Sequence, residues 1–348
     1  MVYADYAATH PFVKYPSSAY GPFLNPNANY AYKEKRLLSE AENRVKKAIG
    51  AKGGKVIFGG TSSQLIENLM NRAKKNTVIC SNYEHNSFYR YACDSVKNIN
   101  ELSENIANMP ESYGKMIVMW QGVNNLTGEI MPVEEIGKLC HEHDAFYICD
   151  MTAMIGHVPI PANIDQWCDC AVWSGHKLGT ELGIGAMWIS DRLDKWLDGF
   201  KLHGTPNLAG ALAMTQAVED ACNISLLEER QAQWVDLSDE LYSRLLDICV
   251  DIKQIGNNEG CWAINAIRLP GFNADALQQH LASKQIYVSI GGSACTEKHD
   301  YRVLNAYGLS NNEASEVIRV SFSEDSSVED VVALVENICE FKKIYLDN

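Results

Sequence analysis

Short apolar runs alternate with longer amphipathic segments through most of the chain. The five runs with the clearest strand character are 56–58, 77–80, 116–120, 146–149 and 171–173. Most are apolar at nearly every position, which is typical of strands buried on both faces. The segments between them repeat apolar residues every three or four positions, as helices do. This alternation predicts an α/β fold built on a mostly parallel sheet.

A change of pattern near residue 250 predicts a second domain. Helices are predicted at 33–49, 63–73, 133–143, 207–222 and 225–249. The elements predicted beyond them are strands near 262–269, 286–290 and 317–322 and a final helix near 327–342. This second set is typical of an α+β arrangement. Because 348 residues exceed a usual single core, we expect a large domain over 13–249 and a smaller domain made of 1–12 and 250–348.

Composition and charge narrow the class of protein. The chain is 46% hydrophobic and 21% charged, as ordinary globular proteins are. No apolar run approaches the roughly 20 residues that cross a bilayer. The net charge of −14 argues against a dedicated nucleic-acid surface, which needs clustered Lys and Arg. The N-terminal residues lack the character of a signal peptide, so the eleven cysteines are expected to be reduced thiols. We therefore expect a cytoplasmic protein.

The ends of two strand-like runs carry the residues most suggestive of chemistry. Asp150 follows the run 146–149, and Ser174-Gly175-His176-Lys177 follows the run 171–173. Open α/β sheets bind ligands at the carboxyl ends of their strands. Pyridoxal phosphate needs a lysine that condenses with its aldehyde and an acidic partner that keeps its ring nitrogen protonated. The alternative is a solvated lysine and an aspartate that caps a helix.

A turn rich in glycine and hydroxyl groups is a candidate phosphate site. Gly59-Gly60-Thr61-Ser62-Ser63-Gln64 follows the run 56–58 and leads into the helix predicted at 63–73. The N–H groups of a helix N-terminus, together with the hydroxyls of Ser62 and Ser63, suit a phosphate. Turns of this composition also cap many helices that bind no ligand.

Cys295 has unusual surroundings for a cysteine of this chain. It lies in the polar, glycine-containing stretch 291–300, with Lys298 and His299 close in sequence. Such a stretch is typical of an exposed loop, and nearby cationic groups stabilise a thiolate. Cys295 is therefore a candidate nucleophile, with an incidental loop cysteine as the alternative. No metal site is predicted.

In order along the chain, these residues resemble the class V, fold-type I pyridoxal-phosphate enzymes, and among them the cysteine desulfurases. The resemblance covers nearly the whole chain. Its further motifs are Asp5-Tyr6-Ala7-Ala8-Thr9, Asn25-Pro26, Glu84-His85, Val123-Asn124-Asn125-Leu126-Thr127-Gly128, Gly204-Thr205-Pro206-Asn207, Ser293-Ala294-Cys295-Thr296 and Ile318-Arg319-Val320-Ser321-Phe322. It implies a fold-type I transferase with a large mixed-sheet domain and a smaller α+β C-terminal domain.

The resemblance also implies a role for each site residue. The residues implied to hold the cofactor are His85 stacked on its ring, Asn125 beside its phenolic oxygen, Asp150 at its ring nitrogen, Ser174 and His176 at its phosphate, and Lys177 as the Schiff base. Arg319 binds the substrate carboxylate, a bidentate task suited to a guanidinium, and Asn125 also faces the substrate. Thr205 reaches the phosphate of the other subunit, which implies a homodimer.

The implied reaction is cysteine desulfuration. Lys177 and His85 move protons, and Cys295 takes the sulfur of L-cysteine as a persulfide, leaving L-alanine. The Cys295 motif resembles that of the group that feeds iron–sulfur cluster assembly. The implied partner is a sulfur-acceptor protein, either a cluster scaffold or a transfer-RNA-thiolation enzyme.

The chain departs from the family pattern at several positions. Ala153 stands where the family has the Gln of Asp-x-x-Gln, the turn 59–64 shifts its glycines, and the segment from Cys295 to Tyr301 is slightly short. These departures leave two alternatives open. One is a selenocysteine lyase or another class V aminotransferase-like enzyme, and the other is a non-catalytic interaction protein that retains the fold.

Overall fold

The chain folds into two compact units in the computed structural model. The structure describes residues 1–73, 76–109, 114–249, 251–256, 260–291 and 300–345. The large unit comprises His10–Val123 and Met131–Leu227, and the small unit comprises Met1–Thr9, Asn124–Ile130 and Glu228–Asn348. Within the described ranges, every helix is too short or too polar to cross a membrane.

The large unit is built on a seven-stranded sheet. Numbered in chain order after a first strand in the small unit, its strands are β2 (Lys55–Gly59), β3 (Asn76–Ser81), β4 (Asp94–Val96), β5 (Lys115–Gln121), β6 (Phe146–Asp150), β7 (Cys170–Ser174) and β8 (Gly185–Ile189). The spatial order is β2-β8-β7-β6-β5-β3-β4. Strands β3 to β7 pair in parallel, and β8 runs antiparallel to β7 and β2. The predicted α/β fold with a mostly parallel sheet is confirmed.

Eight helices precede, connect or follow these strands in the described residues, and the periodicity predicts five of them. They are α1 (Tyr32–Ala48), α2 (Ser62–Arg72), α3 (Asn86–Tyr89), α4 (Ile99–Asn108), α5 (Val133–Glu142), α6 (Asp191–Trp196), α7 (Leu208–Ala221) and α8 (Ile224–Ile248). Strands β6, β7 and β8 are buried at every residue. The apolar runs 146–149 and 171–173 therefore form central strands covered on both faces, and polar residues gather where these strands end.

The small unit is an α+β structure whose described strands form a four-stranded sheet and a two-stranded sheet. Its strands are β1 (Val2–Tyr3), β9 (Lys253–Ile255), β10 (Ile264–Arg268), β11 (Ile286–Tyr287), β12 (Ser289–Ile290) and β13 (Val317–Ser321). Its helices are α9 (Ala274–Ser283), α10 (Arg302–Ala306), α11 (Asn311–Ala314) and α12 (Val328–Tyr345). The strand predicted near 286–290 is two strands, because β11 pairs in parallel with β1 whereas β12 pairs antiparallel with β13.

The unit boundaries differ from the domain limits expected from the sequence, which were 12/13 and 249/250. The chain passes from the large to the small unit between Leu227 and Glu228, inside helix α8. The continuous helical pattern of α8 hides this change in the sequence. Residues 124–130 belong to the small unit because they bond to its strands and loops. The N–H of Cys261 donates to the carbonyl of Gly128 at 2.7 Å, a long-range contact that local patterning does not reveal.

Gly137 lets α5 pack against the backbone that precedes β7. A Cβ atom built on Gly137 would lie 1.8 Å from the carbonyl oxygen of Trp167, well inside the 3.0 Å that real Cβ contacts respect. The obstacle is main chain, which a side-chain rotation cannot remove. Gly137 is therefore required by close approach, although glycine is a poor helix former.

We expect Gly137→Ala to lower the free energy of unfolding by about 1–3 kcal/mol, because the added methyl overpacks a buried contact. Lys138→Ala changes the next residue of the same helix, which is exposed, and should shift that free energy by less than about 0.5 kcal/mol. Chemical denaturation of both variants makes the comparison. Equal stabilities would show that α5 does not need this close approach.

Candidate active site

Parallel pairing of β6 with β7 brings Asp150 and the turn that carries Lys177 to one edge of the large sheet. Asp150 is the last residue of β6 and lies opposite Val172, so β7 ends two residues further on at Ser174. A 3₁₀ turn over Gly175–Lys177 follows directly. These side chains stand at the carboxyl ends of adjacent parallel strands, where open α/β sheets bind ligands.

The Asp150 carboxylate is buried at this edge. The residue is 8% exposed, and its Oδ1 accepts the backbone N–H of Thr152 at 2.9 Å. An ionised carboxylate accepts several hydrogen bonds, so Asp150 keeps capacity for a ligand donor. The neighbouring Ala153 is buried and offers no polar group, as the departure from the family pattern implies. Within the described residues, the buried Oγ1 of Thr152 has no hydrogen-bond partner. Thr152 was not among the site residues named from the sequence. Its position two residues after Asp150 was the only feature that could have indicated it.

Residues of the N-terminal arm hold the Lys177 loop through main-chain hydrogen bonds. The N–H of His10 donates to the carbonyl of His176 at 2.9 Å, and the N–H of Lys14 donates to the carbonyl of Gly179 at 2.8 Å. These bonds lie on either side of Lys177 in sequence. The backbone at Lys177 is thus held from both directions, which limits where its amine can reach.

The turn before α2 has the chemistry of an anion site. Thr61 caps the helix, its Oγ1 accepting the N–H of Gln64 at 3.1 Å. The hydroxyls of Ser62 and Ser174 lie 2.9 Å apart, and Ser63 belongs to the same first turn. That turn carries no acidic residue. Helix N–H groups, the positive end of the helix dipole and paired hydroxyls together suit a phosphate.

Gly185 makes this arrangement possible, and sequence reasoning missed it. A Cβ atom on Gly185 would lie 2.8 Å from the nitrogen of Ser62 and 2.8 Å from the carbonyl carbon of Thr61. Strand β8 therefore lies against the start of α2 only because its first residue has no side chain. The only feature of the sequence that could have indicated Gly185 is its position as the first residue of the apolar run Gly185–Ile189.

Glu84 and His85 form a fixed turn next to the end of β5. Glu84 is completely buried, and its Oε1 accepts the N–H of Gln121 at 2.7 Å and the hydroxyl of Ser81 at 2.8 Å. His85 caps α3, its Nδ1 accepting the N–H of Ser87 at 3.2 Å. Because Nδ1 accepts, the neutral ring carries its proton on Nε2.

The small unit holds Arg319 and Asn125 in one buried cluster. Arg319 lies in β13, is 1% exposed and forms an ion pair with Asp5 at 2.6 Å. Its Nη1 donates to the carbonyl of Asn125 at 2.9 Å, and its Nη2 also donates to the hydroxyl of Ser289 at 2.9 Å. Sequence reasoning named Arg319 and Asn125 but did not assign Asp5 or Ser289 as their partners.

The last two predicted site residues are Thr205 and Cys295. Thr205 is exposed and lines a cavity of about 550 Å³ in the large unit, together with Gly60, Gln64 and Lys201. Cys295 falls in 292–299, outside the described residues. Its assignment as a nucleophile stays a prediction.

Burial makes His176 a neutral group. Desolvation, followed by the charge of Lys177, lowers the pKa of His176 from 6.5 to about 4. The imidazole therefore offers a hydrogen-bonding nitrogen at neutral pH without adding a positive charge beside the lysine.

The chain is similar to known proteins over most of its length. The family model for aminotransferase class-V matches residues 2–334. The chain is 28% identical over 254 residues to cysteine desulfurase IscS of Dictyoglomus turgidum, covering 63% of this chain and 63% of that protein. It is 26% identical over 385 residues to cysteine desulfurase IscS of Methanosarcina thermophila, covering 97% and 91%. The X-ray structure of a NifS-like protein from Rickettsia africae superposes with a TM-score of 0.85 at 22% identity over 99% of each chain, which shows a shared fold.

The His176 assignment predicts a specific acid response of the protein without cofactor. Because the folded-state pKa is about 4 and the ordinary value is 6.5, the unfolded chain takes up this proton first as the pH falls. The free energy of unfolding should therefore decrease between pH 6.5 and 4. His176→Gln should lack this part of the slope. In an NMR titration, the ring signal lost in His176→Gln should titrate near pH 4, and a midpoint near 6.5 would contradict the assignment.

Proposed function

The chain belongs to the aminotransferase class-V family, whose enzymes use pyridoxal phosphate, and on this premise we propose that it is a cysteine desulfurase. The proposed reaction converts L-cysteine to L-alanine and holds the sulfur as a persulfide on Cys295. The observation that carries the proposal is the sheet edge at which Asp150 ends β6, Ser174 ends β7 and Lys177 lies in the turn that follows. Relatives named as cysteine desulfurases support the substrate.

The residues at this edge fit pyridoxal phosphate group by group. The buried Asp150 carboxylate suits a protonated ring nitrogen, and the hydroxyls of Ser62 and Ser174 at the α2 N-terminus suit the phosphate. Attached to Lys177, the cofactor would supply a ring that accepts the electrons of a carbanion. The residues proposed to hold it are Lys177, Asp150, His85, Asn125, Ser62, Ser63, Ser174 and His176, with Thr205 from a second copy of the chain.

Lys177 and His85 are proposed to move protons. The Lys177 amine, in its neutral form, accepts the proton of the substrate Cα. Since Nδ1 of His85 accepts a backbone N–H, the Nε2 proton of its neutral ring is the one it can donate. Because His176 is neutral, it adds no positive charge to the turn that carries Lys177.

Cys295 is proposed as the sulfur acceptor and Arg319 as the receptor of the substrate carboxylate. The Cys295 thiolate attacks the substrate sulfur, so that an S–S bond forms as the C–S bond breaks. The electron pair of the C–S bond remains with the carbon skeleton, which becomes alanine after protonation. The exchange is balanced and needs no external oxidant. The guanidinium of Arg319 suits the carboxylate.

The sulfur on Cys295 then needs an acceptor protein, and we propose a cluster scaffold or a transfer-RNA-thiolation enzyme as its class. We also propose that the enzyme works as a homodimer. The support is the segment Gly204-Thr205-Pro206-Asn207, which is similar to a family motif whose threonine reaches the phosphate of the other subunit. Tyr30, Tyr32 and Leu182 are 72%, 78% and 80% exposed on the large unit, so they are available to such an interface.

The reaction is tested by incubating the purified protein with L-cysteine and measuring sulfide, alanine and the visible spectrum. Cys295→Ala should abolish sulfide release, because the sulfur then has no thiolate to accept it, while the bound cofactor remains. Cys93→Ala, which removes an exposed cysteine, is the matched control and should keep the parental rate.

Other outcomes would favour the alternatives. Sulfide release by Cys295→Ala at the parental rate would sink its assignment, and amino transfer that depends on a keto acid would favour an aminotransferase. Preference for selenocysteine would favour a selenocysteine lyase. A colourless protein, with no cofactor trapped on Lys177 by borohydride, would favour a non-catalytic interaction protein.

The homodimer is tested by sedimentation. We expect a mass near twice the 38.7 kDa of the chain. Tyr32→Glu combined with Leu182→Glu should shift the protein towards the monomer, because an interface that covers these side chains would have to bury the added charges. Leu246→Glu, at an exposed position of α8, should not. A wild-type monomer at working concentrations would refute the dimer.

A further inference from the structure

Asp5 accepts a hydrogen bond from Nη2 of Arg319, the nitrogen that bidentate carboxylate binding requires. Nη2 of Arg319 donates to Asp5 Oδ1 at 2.6 Å and to Ser289 Oγ at 2.9 Å. The Ser289 hydroxyl in turn donates to Asp5 Oδ1 at 2.8 Å. The two N–H groups of Nη2 are therefore both engaged within the small unit, in a closed triangle of Asp5, Ser289 and Arg319.

Bidentate binding of a carboxylate needs two N–H groups that point the same way. A guanidinium offers two such pairs, Nε with Nη2 and Nη1 with Nη2, because its third edge is closed by its own Cδ. Both pairs include Nη2. A ligand carboxylate can thus bind Arg319 through both oxygens only after Asp5 or Ser289 leaves Nη2.

Asp5 is the partner whose departure leaves the charges balanced. Arg319 is 1% exposed, and a buried guanidinium without an anion is strongly unfavourable. Exchange of Asp5 for a ligand carboxylate keeps one anion on Arg319 throughout. Displacement of Ser289 would instead place two carboxylates against one cation.

The surroundings allow this exchange. Asp5 lines a cavity of about 300 Å³ in the small unit, shared with Tyr3, Gln278 and Tyr287, so its side chain has space to turn into. Among the described residues, Nε of Arg319 has no hydrogen-bond partner. That donor is buried and ready for a ligand oxygen, which would offset the bond that Asp5 gives up.

We propose that Asp5 is a built-in competitor that the carboxylate of an amino-acid ligand displaces from Arg319. Asp5 orients and neutralises the guanidinium in the absence of ligand, and it lowers the affinity for carboxylates by the cost of its displacement. Asp5 is a positioning and affinity-setting residue and takes no part in bond making. The inference rests on the proposed role of Arg319 as the carboxylate receptor.

The test compares Asp5→Asn with the parent holoenzyme. Asparagine keeps the shape and one acceptor oxygen but removes the charge. The dissociation constant of L-alanine, followed by the absorbance of the bound cofactor, should fall roughly tenfold, because a charge-assisted hydrogen bond no longer has to be broken. Ethylamine lacks the carboxylate and should bind both proteins equally. A larger rise in melting temperature with L-alanine in Asp5→Asn gives a readout independent of activity.

The outcomes separate this inference from the proposed reaction. Tighter L-alanine binding by Asp5→Asn supports the competitor role even if no protein variant releases sulfide from cysteine. Weaker or unchanged binding means that Asp5 is a fixed support of Arg319, and the inference is wrong. If Arg319→Gln binds L-alanine as the parent does, Arg319 is not the receptor and the inference also fails. Should Asp5→Asn not fold, Asp5→Ser repeats the test, and failure of both to fold would show a permanent ion pair and overturn the exchange.

Discussion

The parallel pairing of β6 with β7 is the constraint on which the candidate site depends. Because Asp150 lies opposite Val172, the register sets how far the Ser174–Lys177 segment extends beyond the carboxylate. A slip of one residue would turn every side chain of a buried strand to the opposite face of the sheet. Complete burial of both strands makes such a slip costly, so the hydrophobic core also fixes the chemistry at the sheet edge.

Close packing and buried hydrogen bonds position the part of the site that lies in the large unit. Gly185 lets α2 start beside the end of β7, which brings the hydroxyls of Ser62 and Ser174 within 2.9 Å. Buried Glu84 ties the turn before His85 to the end of β5 through Gln121. Each contact joins elements that are distant in sequence. The part of the site formed by Ser62, Ser174 and His85 is therefore positioned by buried contacts within the large unit.

Sequence patterns predicted the parts of the fold whose signal is local. The apolar runs of β5, β6 and β7 and the period of α1 and α8 were found within a few residues of their observed limits. Strands β4 and β8 and helices α4 and α9 were not assigned, because their patterns are short or weak and long-range pairing decides their form. Local motifs likewise indicated Asp150 and Lys177. The partners Asp5 and Ser289 of Arg319 could not be found in this way, since they come from segments 314 and 30 residues away.

The charge of the chain explains why such local pairing matters for a ligand. A net charge of −14 produces a field that repels anions at long range and that salt screens within about 10 Å. An amino-acid zwitterion carries no net charge, so this field neither gathers nor rejects it. If Arg319 is the carboxylate receptor, selection takes place at short range, by a buried guanidinium whose donors are already arranged. Under the proposed role of Arg319, affinity for such a ligand would be set by the exchange at its guanidinium, and hence by Asp5, rather than by the overall charge of the protein.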